Sequence, residues 1–220
     1  MINGDTVNRL PIPPRTAATR LIVVLRASDS GDYSRVLDAL VDAGIRSVEL
    51  TMTTPGTIKR LPEIVARFGD AADIGVGTVT DEDELNAAIG AGAHYIVTPI
   101  TDARVVALSV AAGIPVVPGG FTPTELFASW RAGASAVKVF PAGQVSANYV
   151  NDLRGPFPGI DVIPSGGVNH DMAADWLAAG AAAVSVGGPL LGDAMRGGNL
   201  RALRERAAAF VALCANGGAR

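Results

Sequence analysis

Residues 80–99, TDEDELNAAIGAGAHYIVTP, contain the unit from which the fold is read. The first part places Leu85, Ala88 and Ile89 at helical spacing, one apolar stripe on an otherwise polar segment. It ends at Ala91-Gly92, where glycine suits the left-handed cap that turns a helix into the next strand. The short apolar run YIVTP that follows reads as a buried strand. The same Ala-Gly ending recurs at Ala43-Gly44, Ala112-Gly113, Ala132-Gly133 and Ala179-Gly180. It closes the helical patterns DYSRVLDALVDAG, DARVVALSVAAG, TPTELFASWRAG and HDMAADWLAAG. The apolar runs LIVVLR, SVELTM, DIGVGTV, YIVTP, PVVPG, AVKVFP, DVIPSGG and AVSVGG give eight strands. Repeated βα units with near-continuously apolar strands predict parallel strands buried on both faces, either closed into a barrel or open and doubly wound. Polar residues gather at the C-terminal ends of most of the eight strands, where a barrel builds its site. A single (β/α)8 TIM barrel over residues 20–220 is therefore expected.

Composition narrows the function. A chain of 220 residues, 49% hydrophobic and 18% charged, suits one large core and one domain. Its net charge of −3 and scattered Lys and Arg leave no basic footprint, so nucleic acid is not an expected partner. Residues 1–19, MINGDTVNRLPIPPRTAAT, hold Asp5, several prolines and no long apolar run; they are expected to be a loose N-terminal arm, neither signal peptide nor membrane span. The lone cysteine, Cys214, has no partner for an internal disulfide and lies near the end of a helical stretch, which fits a reducing cytoplasm and makes it a poor nucleophile. Neither His94 nor His170 has a Cys, His or carboxylate at ligand spacing, so no metal is expected.

The strand ends carry the chemistry. Side chains alternate along a strand, so Ala136, Lys138 and Phe140 share one face of AVKVFP while Val137 and Val139 share the other. The branched valines suit the helix-facing side, which places Lys138 inside the barrel. The sequence has only one other lysine, Lys59, beside Arg60 on a helical pattern, where it reads as a solvated charge. A core lysine must be paired or functional. By the same alternation Glu49 and Thr51 of SVELTM face inward, and Arg26 closes LIVVLR in the same sense. An acid, an arginine and a lysine facing one lumen are a costly way to build a core, since unpaired buried charges cost several kcal/mol each. As a site they are coherent: a lysine amine attacks a ketone, a carboxylate moves protons, and an arginine holds a carboxylate through two hydrogen bonds, which a 2-keto acid would satisfy. Strands 7 and 8 end in PSGGV and VGGPL, putting Ser165, Gly166, Gly167, Gly187 and Gly188 where many barrels hold phosphate. On the residues alone, a barrel isomerase or epimerase of a phosphorylated small molecule, with Lys138 structural, and a silent phosphate-ester binder remain as alternatives.

The segments VLRA, VELTMTTP, GVGTV, IVTP, PTEL, VKVFPAG, GPFPGIDVIPSGGVN and VGGPL resemble, in order and spacing, the 2-keto-3-deoxy-6-phosphogluconate / 4-hydroxy-2-oxoglutarate aldolase family. The resemblance covers roughly residues 20 to 213. It implies a class I aldolase that needs no cofactor, works as a homotrimer, and cleaves a 2-keto-3-deoxy-6-phospho sugar acid to pyruvate and glyceraldehyde 3-phosphate. It further implies that Lys138 forms the Schiff base, that Glu49 moves protons, and that Arg26, Thr78 and Pro99 line the keto-acid end. Some members carry an arginine four residues after the glutamate to bind the substrate carboxylate. Here that position is Thr53, which is expected among the substrate-binding residues, while carboxylate binding falls to Arg26. Ser165 stands where threonine is common.

Overall fold

The computed structural model describes residues 9–216, in which the predicted strands pair in parallel. β1 (Leu21–Leu25), β2 (Ser47–Thr51), β3 (Asp73–Gly77), β4 (Tyr95–Val97) and β5 (Val116–Val117) follow one another as neighbours, and β9 (Val184–Val186) joins the free side of β1. β6 (Gly119–Gly120), β7 (Val137–Val139) and β8 (Val162–Pro164) form a second run. β5 and β6 are two pieces of one barrel strand, separated at Pro118, which has no N–H to give the ladder. Its carbonyl still accepts from the Lys138 amide at 2.8 Å. The runs meet again where Ser165 bridges to Ser185 and the Ala182 amide donates to the Val162 carbonyl at 2.8 Å. Eight strand positions thus close into the expected barrel.

The alternation along each strand sorts residues into two cores. Val48, Leu50, Val137 and Val139 pack outward into the large core shared with the helices. Ile22, Tyr95, Val97, Val117, Ala136, Ile163 and Ala183 make a separate cluster that fills the lumen. Two glycines of β3 make room for bulk from neighbouring strands: a Cβ on Gly75 would stand 2.3 Å from the Tyr95 ring, and one on Gly77 1.8 Å from Glu49 Oε1. Tyr95 donates to the Val48 carbonyl at 2.9 Å and lies 3.0 Å from Ser47 Oγ. Full burial pushes its phenol well above the usual range, so it remains a protonated donor across ordinary pH.

Helices α2 (Tyr33–Asp42), α3 (Thr57–Phe68), α4 (Glu82–Gly90), α5 (Ala103–Ala111), α6 (Pro123–Arg131), α7 (Tyr149–Arg154), α8 (His170–Ala178), α9 (Gly188–Leu191) and α10 (Leu200–Asn216) follow a first helix, α1 (Pro14–Thr19). The five Ala-Gly glycines all adopt positive φ, from 72° at Gly113 to 101° at Gly133, as the cap reading requires. Helix starts are fixed by side chains: Asp81 accepts from the Glu84 amide, and Thr122 with Glu125 forms a reciprocal capping box.

The loose arm expected over residues 1–19 is corrected in its described part; residues 1–8 lie outside the described residues. Pro14–Thr19 is a helix with proline at its first position, seated against β2 and β3 at the N-terminal end of the barrel. The Thr16 amide donates to Asp73 Oδ2 at 2.7 Å, and its hydroxyl lies 2.7 Å from Ser47 Oγ and 3.0 Å from Asp73 Oδ2. Pro11 and Pro13 precede this helix and Pro14 starts it. Among the described residues no helix is long and apolar enough to cross a membrane.

Candidate active site

The C-terminal ends of the strands surround a cavity of about 360 Å³. Of the residues singled out from the sequence, Arg26, Glu49, Thr78, Pro99, Lys138, Ser165, Gly166, Gly167, Gly187 and Gly188 all line it. Thr53 does not. It is exposed, on the turn between β2 and α3, and its hydroxyl donates back to Thr51 Oγ1 at 3.3 Å. Contrary to the expectation from its offset to Glu49, the structure places Thr53 outside the cavity lining.

Lys138 enters from the middle of β7 with 6% of its surface exposed, and Glu49 from the middle of β2 with 1%. No ion pair within 4.0 Å joins them, and among the described residues the Lys138 ammonium makes no hydrogen bond or salt bridge. Its Nζ stands 5.2 Å from the centroid of the Phe140 ring. Among the described residues, Glu49 Oε2 is fully buried without a hydrogen-bond partner. Buried polar atoms are almost always paired, and leaving one orphaned costs about 1–3 kcal/mol. A Lys-Glu pair that merely held the barrel together would satisfy both groups. Two unpaired groups turned into one cavity are instead arranged for something that enters it.

One end of the cavity has a cation and a strained backbone. Arg26, just beyond β1, donates a long hydrogen bond of 3.4 Å to Thr78 Oγ1. Thr78 holds φ at 61°, a left-handed conformation rare for a β-branched residue and costing about 1–3 kcal/mol. Nothing local in GVGTV signals that strain, which sets the Thr78 hydroxyl beside Arg26. The other end is built from backbone. Gly166 and Gly167 have φ of 85° and 80°, and a Cβ on Gly166 would meet the Phe140 ring at 2.8 Å. Ser165 pairs with Ser185 through their hydroxyls at 3.2 Å. Gly188 faces open space. Such exposed, flexible amide runs suit an anion.

Sequence reading missed Val24, Phe140, Pro189, Leu191, Gly192, Met195 and Arg196, which also line the cavity. Phe140 was legible from its shared face with Lys138. Residues 189–196 were not, because they reach the cavity through turns with no local period. Among the described residues no three His, Cys, Asp or Glu side chains come together as a metal site. Cys214 is buried on α10, where burial pushes its thiol up to about 11, so it is not a thiolate near neutral pH.

Residues 12–205 match the sequence profile described as KDPG and KHG aldolase. The chain is 34% identical over 192 residues to the 2-dehydro-3-deoxy-6-phosphogalactonate aldolase of Escherichia coli strain K12, covering 87% of this chain and 92% of that one. A native KDPGal structure superposes with a TM-score of 0.83 at 33% identity, covering 90% of this chain and 95% of the other. A KDPG aldolase from Legionella pneumophila, with pyruvate captured as a covalent carbinolamine intermediate, superposes at 0.76 and 26% identity over 91% and 94%.

Proposed function

This chain belongs to the KDPG and KHG aldolase family and is an aldehyde-lyase, and on that premise we propose that it cleaves a 2-keto-3-deoxy-6-phospho sugar acid to pyruvate and glyceraldehyde 3-phosphate, with Lys138 as the Schiff-base lysine. The observation that carries this reading is the unpaired Lys138 and Glu49 facing one cavity. The amine of Lys138 adds to the C2 carbonyl, and loss of water from the carbinolamine gives a protonated imine. As the C4 hydroxyl loses its proton, the C3–C4 electrons flow into that imine, leaving an enamine on Lys138 and releasing the aldehyde. Protonation at C3 and addition of water then free pyruvate and restore the amine. The partnerless oxygen of Glu49 is the proton carrier for these steps, directly or through one water. Both epimers, the gluconate and the galactonate series, satisfy this chemistry, as does 4-hydroxy-2-oxoglutarate.

The test is reduction with sodium borohydride in the presence of pyruvate. The expected result is loss of activity with one reduced pyruvyl group on Lys138, read by peptide mass spectrometry. Adduct at Lys59, or none, removes the covalent mechanism. A homotrimer in a reducing cytoplasm is part of the same proposal, supported by family membership and the lone buried Cys214.

The two ends of the cavity are expected to fail differently. Arg26→Ala should weaken pyruvate binding and impair every substrate, because the carboxylate is common to all. Gly188→Asp has room for its side chain and places a negative charge at the glycine end. It should raise KM for phosphorylated substrates by roughly ten-fold or more while affecting 4-hydroxy-2-oxoglutarate far less. Steady-state kinetics of both variants on both substrate types decides the matter. Equal losses across substrates in Gly188→Asp would show that the glycine loops do not read phosphate.

A further inference from the structure

The geometry points to Arg196 as a specificity-determining residue that pairs with the substrate phosphate and separates phosphorylated from unphosphorylated 2-keto acids, an inference that rests on the reading above. After β9 the chain runs through the short α9, turns at Gly192 and again at Gly197, and makes one 3-10 turn, Ala194–Arg196, between them. This excursion brings Met195 and Arg196 to the cavity that Gly166, Gly167, Gly187 and Gly188 also line.

The segment is held from outside. Arg35 on α2 donates to the Ala194 carbonyl at 2.6 Å, and Arg206 on α10 donates to the carbonyls of Leu190 and Leu191 at 2.6 and 2.9 Å. The amides of Arg196 and Gly198 both return to the Asp193 carbonyl, at 2.8 and 3.1 Å. Ala194 and Met195 are buried beneath. Two arginines are thus spent fixing the backbone that presents a third. The Arg196 guanidinium itself makes no hydrogen bond or ion pair among the described residues.

Charge assigns its partner. The cavity is lined by one carboxylate, Glu49, and three cations, Arg26, Lys138 and Arg196. Lys138 bonds to the keto carbon and Arg26 faces the carboxylate, which leaves Arg196 for the phosphate. The glycine loops offer that dianion neutral amides only. A guanidinium supplies a compensating charge and a planar fork matched to two phosphate oxygens. Because Arg196 is exposed, salt screens the contact, and its contribution is selectivity rather than the bulk of affinity.

The experiment compares the unaltered protein with Arg196→Gln and Arg196→Lys. The ratio of kcat/KM for 2-keto-3-deoxy-6-phosphogluconate to that for unphosphorylated 2-keto-3-deoxygluconate is expected to fall roughly ten-fold in Arg196→Gln and to recover in part in Arg196→Lys. Titration of inorganic phosphate by calorimetry reads the same contact without turnover, and its affinity is expected to fall by a similar factor in Arg196→Gln. An unchanged substrate ratio, or equal phosphate affinity in the unaltered protein and Arg196→Gln, overturns the assignment. So does absence of phosphate binding to the unaltered protein. If the unaltered protein neither cleaves these acids nor traps pyruvate, the reaction assignment has failed, and the phosphate titration still decides the role of Arg196.

Discussion

Lys138→Arg is expected to lower kcat on the order of 10⁴-fold or more while leaving a folded barrel. Arginine keeps the positive charge and nearly the length of the side chain, but its guanidinium stays protonated at every accessible pH and cannot add to a carbonyl. The substitution therefore separates two roles that alanine would confuse. A lysine that served only as a buried counter-charge to Glu49 would be replaced adequately by arginine, whose fork suits a carboxylate better. A lysine that forms the bond would not be replaced at all. The lumen around Lys138 holds a free cavity and the half-exposed Phe140 ring, so the larger head has somewhere to go. The measurement is kcat on a phosphorylated 2-keto-3-deoxy acid, with thermal unfolding to confirm the fold. Activity within about ten-fold of the unaltered enzyme, at equal Tm, would return Lys138 to a structural role.

What the sequence made legible was whatever depended on local period. Lys138 and Glu49 could be placed inside the barrel because alternation along a strand has no freedom, and Val137, Val139, Val48 and Leu50 pack on the opposite face as that alternation requires. The Ala-Gly endings marked helix termini for the same reason, since a positive φ at the cap is a property of one residue. Where the chain returns through space, local reading had no purchase. Thr53 was given a site role from its offset to Glu49, yet the turn from β2 into α3 carries it away from the lumen. Residues 14–19 lack the length to show a helical period, and their helix is held by Asp73 and Ser47, far away in sequence. Nothing local in DIGVGTV shows why β3 needs Gly75 and Gly77; Tyr95 and Glu49 occupy the space a side chain would take there. Residues 189–196 reach the cavity on backbone that the sequence-distant Arg35 and Arg206 hold by hydrogen bonds.

Glu49 yields the second large effect, and its sign differs between activity and stability. Glu49→Gln keeps the volume and direction of the side chain but cannot carry a proton, so kcat should fall by about 10²- to 10⁴-fold. The same change replaces a fully buried carboxylate, one oxygen of which has no partner, by a neutral amide that costs less to desolvate. Tm is therefore expected to rise. A residue retained for stability would lose both; one retained for reaction trades the first against the second. Gly77→Ala supplies the complementary test, because it leaves the acid in place chemically while displacing it. A Cβ there would overlap Glu49 Oε1 at 1.8 Å, so the carboxylate must swing away from the position it holds over β3. Loss of kcat by roughly 10²-fold in Gly77→Ala, with pyruvate binding retained, would show that Glu49 works through position as well as type. Near-normal kcat in Glu49→Gln would mean that protons travel through another group, and the partnerless oxygen would then need a structural explanation.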